Sequence, residues 1–140
     1  MFAVIDTNHF RELARGSELA ASMERRASTA RLDLFITIIT VQESTGGWLA
    51  LINGLPAGRD QIPACERFQT TIAFVQKFDI LPFDTEAANI FHRLRAERLR
   101  IGTMDLKIAA ISLAHDATLL TRNLVDFEKV PGLRLENWLD

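Results

Sequence analysis

The first ten residues, MFAVIDTNHF (1–10), decide how the rest of the chain is read. Phe2, Ala3, Val4 and Ile5 are apolar, and their β-branched and aromatic types predict a short buried strand. They run directly into Asp6, Thr7 and Asn8, which suit a turn or a helix start. The chain thus opens by burying a strand and presenting a carboxylate at its carboxyl end, the edge at which open α/β sheets bind ligands. A plainer reading is that Asp6 or Thr7 caps the following helix, since Asp, Thr and Asn all favour that position. What separates the two is whether other acids reach the same edge.

The remainder alternates helical and extended patterns. A short helix to Ala14 is ended by Gly16, and Ser17 fits the N-cap of a helix to about Ala30. Leu34–Ile39 reads as a second strand, and Thr40-Val41-Gln42-Glu43 has the spacing of a capping box that opens the next helix. The loop-like GLPAGRDQIP (54–63) precedes a helix begun by Pro63, with Phe68, Ile72, Val75 and Phe78 as its apolar face. Ile80–Phe83 is a third strand, and Asp84 caps a helix to about Leu99. Gly102-Thr103 introduces MDLKIAAISLAH (104–115), a mostly apolar helix expected in the middle of the fold. Thr118–Thr121 is a fourth strand, Asn123–Phe127 a polar turn or short helix, and Leu133–Leu135 an edge strand. Strands alternating with helices predict an α/β fold, one domain over residues 1–140, with a mostly parallel four- to five-stranded sheet flanked by helices on both faces.

Composition narrows the function classes. With 140 residues, 48% hydrophobic and 24% charged, the chain is long enough to bury one core and ordinary for a soluble protein. A net charge of −2 argues against a surface that coats nucleic acid non-specifically, while leaving room for a local basic groove. The one cysteine, Cys65, can form no internal disulfide and leaves no Cys-based zinc site, which fits a reducing cytoplasm. Asp6 interrupts the first apolar run too early for a signal peptide, and the runs Phe35–Ile39 and Ile108–Ala114 are too short to span a bilayer. The expectation is a soluble cytoplasmic protein with no membrane partner.

Parallel topology brings every strand-to-helix turn to one edge of the sheet. Asp6 ends strand one, Glu43 lies at the start of the helix after strand two, Asp105 in the first turn of the buried helix, and Thr121, Asn123 and Asp126 follow strand four. Packed like charges raise one another's pKa and ask for a cation, and oxygen ligands without His or Cys suggest Mg²⁺ or Mn²⁺. Each acid also has a purely structural explanation. Glu43 would complete its capping box, Asp105 would complement a helix dipole, and Asp126 would be a solvated loop acid.

The ordered set DTN, TVQE, MDLKIAA, TLLTRNLVDF and PGLRLENW, with ILPFDTEAA between, resembles the PIN-domain ribonucleases, specifically the VapC toxin type of a type II toxin-antitoxin system. The resemblance runs nearly end to end and implies a Mg²⁺- or Mn²⁺-dependent endoribonuclease with Asp6, Glu43 and Asp105 as its catalytic, metal-binding acids. The family's Thr-x-Asp motif falls on Thr121-Arg122-Asn123, so Asn123 stands where a fourth acid is common and Asp126 is the substitute donor. A bound metal would lower the pKa of a coordinated water for in-line attack on an RNA phosphodiester. Thr7, Asn8 and Thr121 would hold the carboxylates by hydrogen bonds, and Arg122 would contact the RNA backbone. The resemblance further implies a homodimer and a VapB-like antitoxin whose bound segment blocks the acidic site, with no organic cofactor.

Other polar residues are read as structural. His9, His92 and His115 lack a ligand spacing, and His9 is expected to be a partly exposed helix residue. Asp116 is a turn former, Arg93 and Glu97 have helix-pair spacing, and Trp48 and Ile52 serve either the core or an apolar docking surface. Two rival functions stay open. A phosphoryl-accepting receiver module needs an acceptor Asp after a central strand and a Lys after a late one, where this chain has Thr121-Arg122-Asn123. A catalytically inactive PIN-like binding module is kept in play by Asn123.

Overall fold

β1 (Phe2–Ile5) is the middle strand of a five-stranded sheet ordered β3-β2-β1-β4-β5, and every pairing is parallel. The structure is a computed structural model and describes residues 2–140. β1 leads into α1 (Thr7–Arg15) and α2 (Glu18–Ala30), then β2 (Asp33–Thr37), α3 (Ile38–Asn53) and α4 (Ile62–Val75). β3 (Asp79–Leu81), α5 (Thr85–Ala96), α6 (Thr103–Ala114), β4 (Thr118–Leu120), α7 (Leu124–Phe127) and β5 (Arg134–Glu136) complete the chain.

Burial of β1 on both faces explains its continuous apolar run, as expected for the centre of a parallel sheet. Its pleat sends alternate residues to two cores. Ala3 and Ile5 join Phe10, Leu13, Met23, Ile36 and Leu120 beneath α1 and α2. Val4 and Leu119 join Phe91, Leu94, Ile108 and Ala109 beneath the paired helices α5 and α6. α6 has apolar residues on nearly every side because it is packed on nearly every side, with Ile108–Ser112 all buried.

Local signals set several boundaries. Ser17 Oγ accepts the Ala20 N–H at 3.1 Å, and Asp84 Oδ1 accepts the Ala87 N–H at 3.0 Å, so both predicted caps are in place. α1 ends on Gly16 at φ 64°, a left-handed conformation that glycine adopts without a Cβ clash. Asp116, at φ 50°, is the predicted turn former.

Other boundaries differ from the sequence reading. The second strand was expected to reach Ile39, with Thr40 opening the helix, but β2 stops at Thr37 and α3 starts at Ile38. Thr37 is the cap: its Oγ1 accepts the Thr40 N–H at 3.2 Å. A β-branched run such as ITII fits a buried strand and a buried helix start equally well, so periodicity cannot place the junction. β3 ends at Leu81, before Pro82, because proline brings no N–H to a ladder. α5 stops at Ala96, short of Leu99, and Arg98 turns left-handed at φ 56°. On α4, Phe74 and Val75 pack against the core but Ile72 faces solvent. No helix of the described residues is long and apolar enough to cross a membrane.

Candidate active site

The register of β1 against β4 places two functional residues side by side. Ile5 pairs with Leu120, so Asp6 and Thr121 leave the sheet as neighbours. Asp6 donates its N–H to the Leu120 carbonyl at 3.1 Å. Its side chain caps α1, with Oδ1 accepting the His9 N–H at 3.0 Å. The same Oδ1 accepts from His9 Nδ1 at 3.2 Å, while Oδ2 accepts the Thr121 hydroxyl at 2.6 Å. The Thr121 hydroxyl in turn accepts the Asn123 N–H at 2.9 Å. Asp6 is therefore both the helix cap and the centre of the acidic edge, so the two readings of the opening stretch coexist. A carboxylate offers about four lone-pair directions. His9 fills both on Oδ1 and Thr121 fills one on Oδ2, which leaves a single open acceptor position on Oδ2.

Glu43 is held from α1. The Thr7 hydroxyl donates to Glu43 Oε1 at 2.7 Å. Because its proton is committed there, Thr7 accepts from the Thr40 hydroxyl 3.2 Å away. Thr40, buried inside α3 rather than at its cap, thus supports Glu43 through Thr7, and the expected Thr40–Glu43 capping box is absent.

Asp105 lies in the first turn of α6. Burial pushes its carboxyl pKa upward, and the charges of Glu43, Asp6 and Asp126 push the same way against the lowering effect of the Asn123 amide. Asn123 Nδ2 donates to Asp105 Oδ2 at 3.3 Å and to Asp126 Oδ2 at 3.0 Å, so one neutral amide bridges two acids. Asp126 shifts the other way, lowered first by Asn123 and then by the Lys129 ammonium 3.1 Å away. Lys129 is itself anchored by the Arg100 carbonyl at 2.7 Å.

Asp6, Glu43 and Asp126 therefore gather with Asp105 at one edge, where their charges add to burial in raising its carboxyl pKa. Among the described residues, no three His, Cys, Asp or Glu side chains are grouped so as to hold a metal ion by themselves. The donor set nevertheless suits a hard cation. It is all oxygen, and Mg²⁺ is typically held by one or two carboxylates plus water and substrate phosphate rather than by a complete protein cage.

The other predicted residues divide. Asn8 is exposed and makes no side-chain hydrogen bond among the described residues, unlike Thr7 and Thr121. Arg122 is exposed beside the edge and pairs with Asp140 at 3.5 Å. His9, expected to be partly exposed, is fully buried, because its ring lies between Asp6 and the backbone of Trp138, whose N–H donates to Nε2 at 3.4 Å. The spacing of His9, three residues after a helix-capping Asp, was the available signal for its contact with Asp6. Nothing local announced the roles of Thr40 and Lys129.

A cleft of about 440 Å³ lies beside the acids rather than on them. Phe10, Arg11, Ser44, Trp48, Leu51 and Arg67 line it between α1, α3 and α4. The Ser44 hydroxyl is buried with no hydrogen-bond partner among the described residues, one position after Glu43.

An all-parallel sheet that gathers acids from β1, α3 and α6 at its carboxyl edge defines a recognisable class. The PIN domain family model matches residues 3–133, and the chain belongs to the PIN domain family. It is 32% identical over 123 residues to the tRNA(fMet)-specific endonuclease VapC of Shigella flexneri, a match covering 84% of this chain and 85% of that protein. It is 38% identical over 69 residues to ribonuclease VapC2 of Rickettsia felis, a match covering 46% of this chain and 52%, about half, of that relative's length. Its fold is similar to that in the crystal structure of VapBC2 from Rickettsia felis bound to a promoter DNA fragment, with a TM-score of 0.78, 23% identity and 99% of each chain covered. Family membership sets the receiver-like alternative aside.

Proposed function

We propose that residues 1–140 form a single metal-dependent endoribonuclease domain of the VapC toxin type. It would act in the cytoplasm as a homodimer and be restrained by a cognate VapB-like antitoxin. The observation that carries this reading is the Asp6 carboxylate, fixed by His9 and Thr121 with one Oδ2 position open, beside an Asp105 whose carboxyl is pushed up first by burial and then by its acidic neighbours. The names of the Shigella flexneri and Rickettsia felis relatives, an endonuclease and a ribonuclease, point the same way.

Asp6 and Asp105 would hold a Mg²⁺ or Mn²⁺ ion directly, with Asn123 and Asp126 as flanking donors. When bound, such an ion supplies an acidified water and positive charge against the phosphoryl oxygens. Glu43 is suited to take the proton. Thr7 occupies its Oε1, leaving Oε2 to orient the water that attacks phosphorus in line with the leaving oxygen. Arg122, beside the edge, would contact the RNA backbone. The cleft under Trp48 and Leu51, edged by Arg11, Arg15 and Arg67, offers an apolar floor and basic rim for an antitoxin segment. The Rickettsia felis neighbour, a VapBC2 complex, supports a partner of that kind.

The test is incubation of purified protein with RNA, initiator tRNA among the substrates, in Mn²⁺ or in EDTA. Cleavage in Mn²⁺ alone, reduced at least about 100-fold by Asp6→Asn in a folded protein, is expected. Cleavage that survives both EDTA and Asp6→Asn would overturn the reading, and absence of cleavage in every condition would favour the inactive binding module.

A further inference from the structure

The buried ring of His9 joins two parts of the molecule 129 residues apart in one direction and three in the other. Its Nε2 faces the Trp138 backbone N–H, which can only donate. Nε2 therefore accepts from Trp138, and that geometry places the ring hydrogen on Nδ1. That hydrogen points to Asp6 Oδ1, the oxygen already bonded by the His9 backbone N–H. Both lone pairs of Oδ1 are thereby used, and Asp6 has only Oδ2 to offer.

The C-terminal segment that sets this tautomer is itself held in place. Trp138 and Leu139 are buried, and the Trp138 indole lies under the Arg26 guanidinium at 4.4 Å. Arg26 also reaches Glu136 at 3.5 Å, and Asp140 pairs with Arg122 at 3.5 Å. These residues are thus pinned by their burial and from α2, with the Trp138 backbone N–H directed at His9.

We propose that His9 is a positioning residue for the nuclease reaction. Its Nδ1–H fixes the Asp6 carboxylate so that Oδ2 alone serves as the metal ligand, and the C-terminal segment, through the Trp138 N–H, keeps the imidazole in the tautomer that does so. This rests on the metal-dependent reading of the acidic edge. A ligand carboxylate held by such an outer hydrogen bond binds its ion more tightly, and loss of the bond typically weakens metal affinity 10–100-fold.

Two substitutions separate the two ends of the ring. In His9→Asn the side-chain amide stands near Nδ1 and can still donate to Asp6. In His9→Gln it reaches the Nε2 position and can accept from Trp138 while leaving Asp6 without its donor. Mn²⁺ affinity by calorimetry is measured on the full chain for both, beside wild type and Asp6→Asn, with thermal melts in EDTA as the fold control. The expected result is His9→Asn within about threefold of wild type and His9→Gln weaker by about 10–100-fold. In wild type, ¹⁵N spectra of the His9 ring should show a protonated Nδ1 and a bare Nε2. Equal Mn²⁺ affinity for the two variants, or a ring protonated on Nε2, would overturn the assignment to His9 alone. Wild type that fails to bind Mn²⁺, or Asp6→Asn that binds it as well as wild type, would instead remove the metal-site reading and this proposal with it.

Discussion

Thr121 donates its hydroxyl proton to Asp6 across 2.6 Å, although 115 positions of chain separate the two residues. The contact exists because β1 and β4 are paired neighbours in register, so it joins the residue that follows β1 to the residue that follows β4. Thr121→Val keeps the shape of the side chain but removes a donor from Asp6 and an acceptor from the Asn123 N–H. Urea denaturation should show a loss of about 1–3 kcal/mol, the usual cost of orphaning a buried polar group. Mn²⁺ affinity should fall by about 10–100-fold, and Thr121→Ser should recover most of both. A Val variant matching wild type in both measurements would show that this hydrogen bond is incidental.

Asp105 links the site to pH. Its folded-state pKa lies above the ordinary 3.8, so the folded protein holds this proton more readily than the unfolded chain. The metal-free protein should therefore lose stability as pH rises from about 3.8 through the elevated folded value, with the full penalty present above it. Asp105→Asn lacks that penalty. Its melting temperature in EDTA should exceed that of wild type at neutral pH, and the difference should vanish in acid below the unfolded value.

Added Mn²⁺ should reverse that order. Wild type gains about 2.7 kcal/mol when the ion is at 100 times its dissociation constant, and a variant that has lost a ligand gains far less at the same concentration. Melts of both proteins with and without Mn²⁺ read this directly. A variant stabilised as strongly as wild type would exclude Asp105 from the ligand set.

Asn123 stands between two acids, Asp105 and Asp126. Asn123→Asp removes the N–H donors to Asp105 and Asp126 and adds a third carboxylate between them. In EDTA at neutral pH it should destabilise the fold by about 1–3 kcal/mol, with Mn²⁺ restoring more stability than it does for wild type. Asn123→Ala, which loses the bonds without adding charge, should show the first effect and not the second.

Arg122, exposed and paired only loosely with Asp140, is suited to touch phosphate rather than to hold the site together. Arg122→Ala should weaken RNA binding and lower the salt slope of binding by about one charge, leaving Mn²⁺ affinity and the melting temperature unchanged. A kcat defect without any change in salt dependence would assign it a different role.

Much of this arrangement was legible in the chain because it is local. The apolar run Phe2–Ile5, the caps Ser17 and Asp84, and the all-round apolar pattern of MDLKIAAISLAH each express a nearest-neighbour preference, and each formed the expected element. From parallel topology alone, the edge where Asp6, Glu43 and Asp126 bear on Asp105 also followed. The failures have a common physical cause. Thr37 and Thr40 are equally good caps by type, and only the length of the ladder with β1 and β3 decides between them. His9 is polar and helical, and its burial is dictated by Trp138 arriving from the far end of the chain. Asn8 shares the polarity of Thr7, yet its helical position turns it to solvent.

The two outer strands, β3 and β5, are only three residues long. An added strand would find little ladder there to extend, which guards the chain against edge-to-edge growth into aggregates. Recruitment of another polypeptide, whether a second subunit or a restraining partner, is thereby steered away from the sheet and onto the helical flanks, where Leu49, Leu51, Ile62 and Ile72 stand open to solvent.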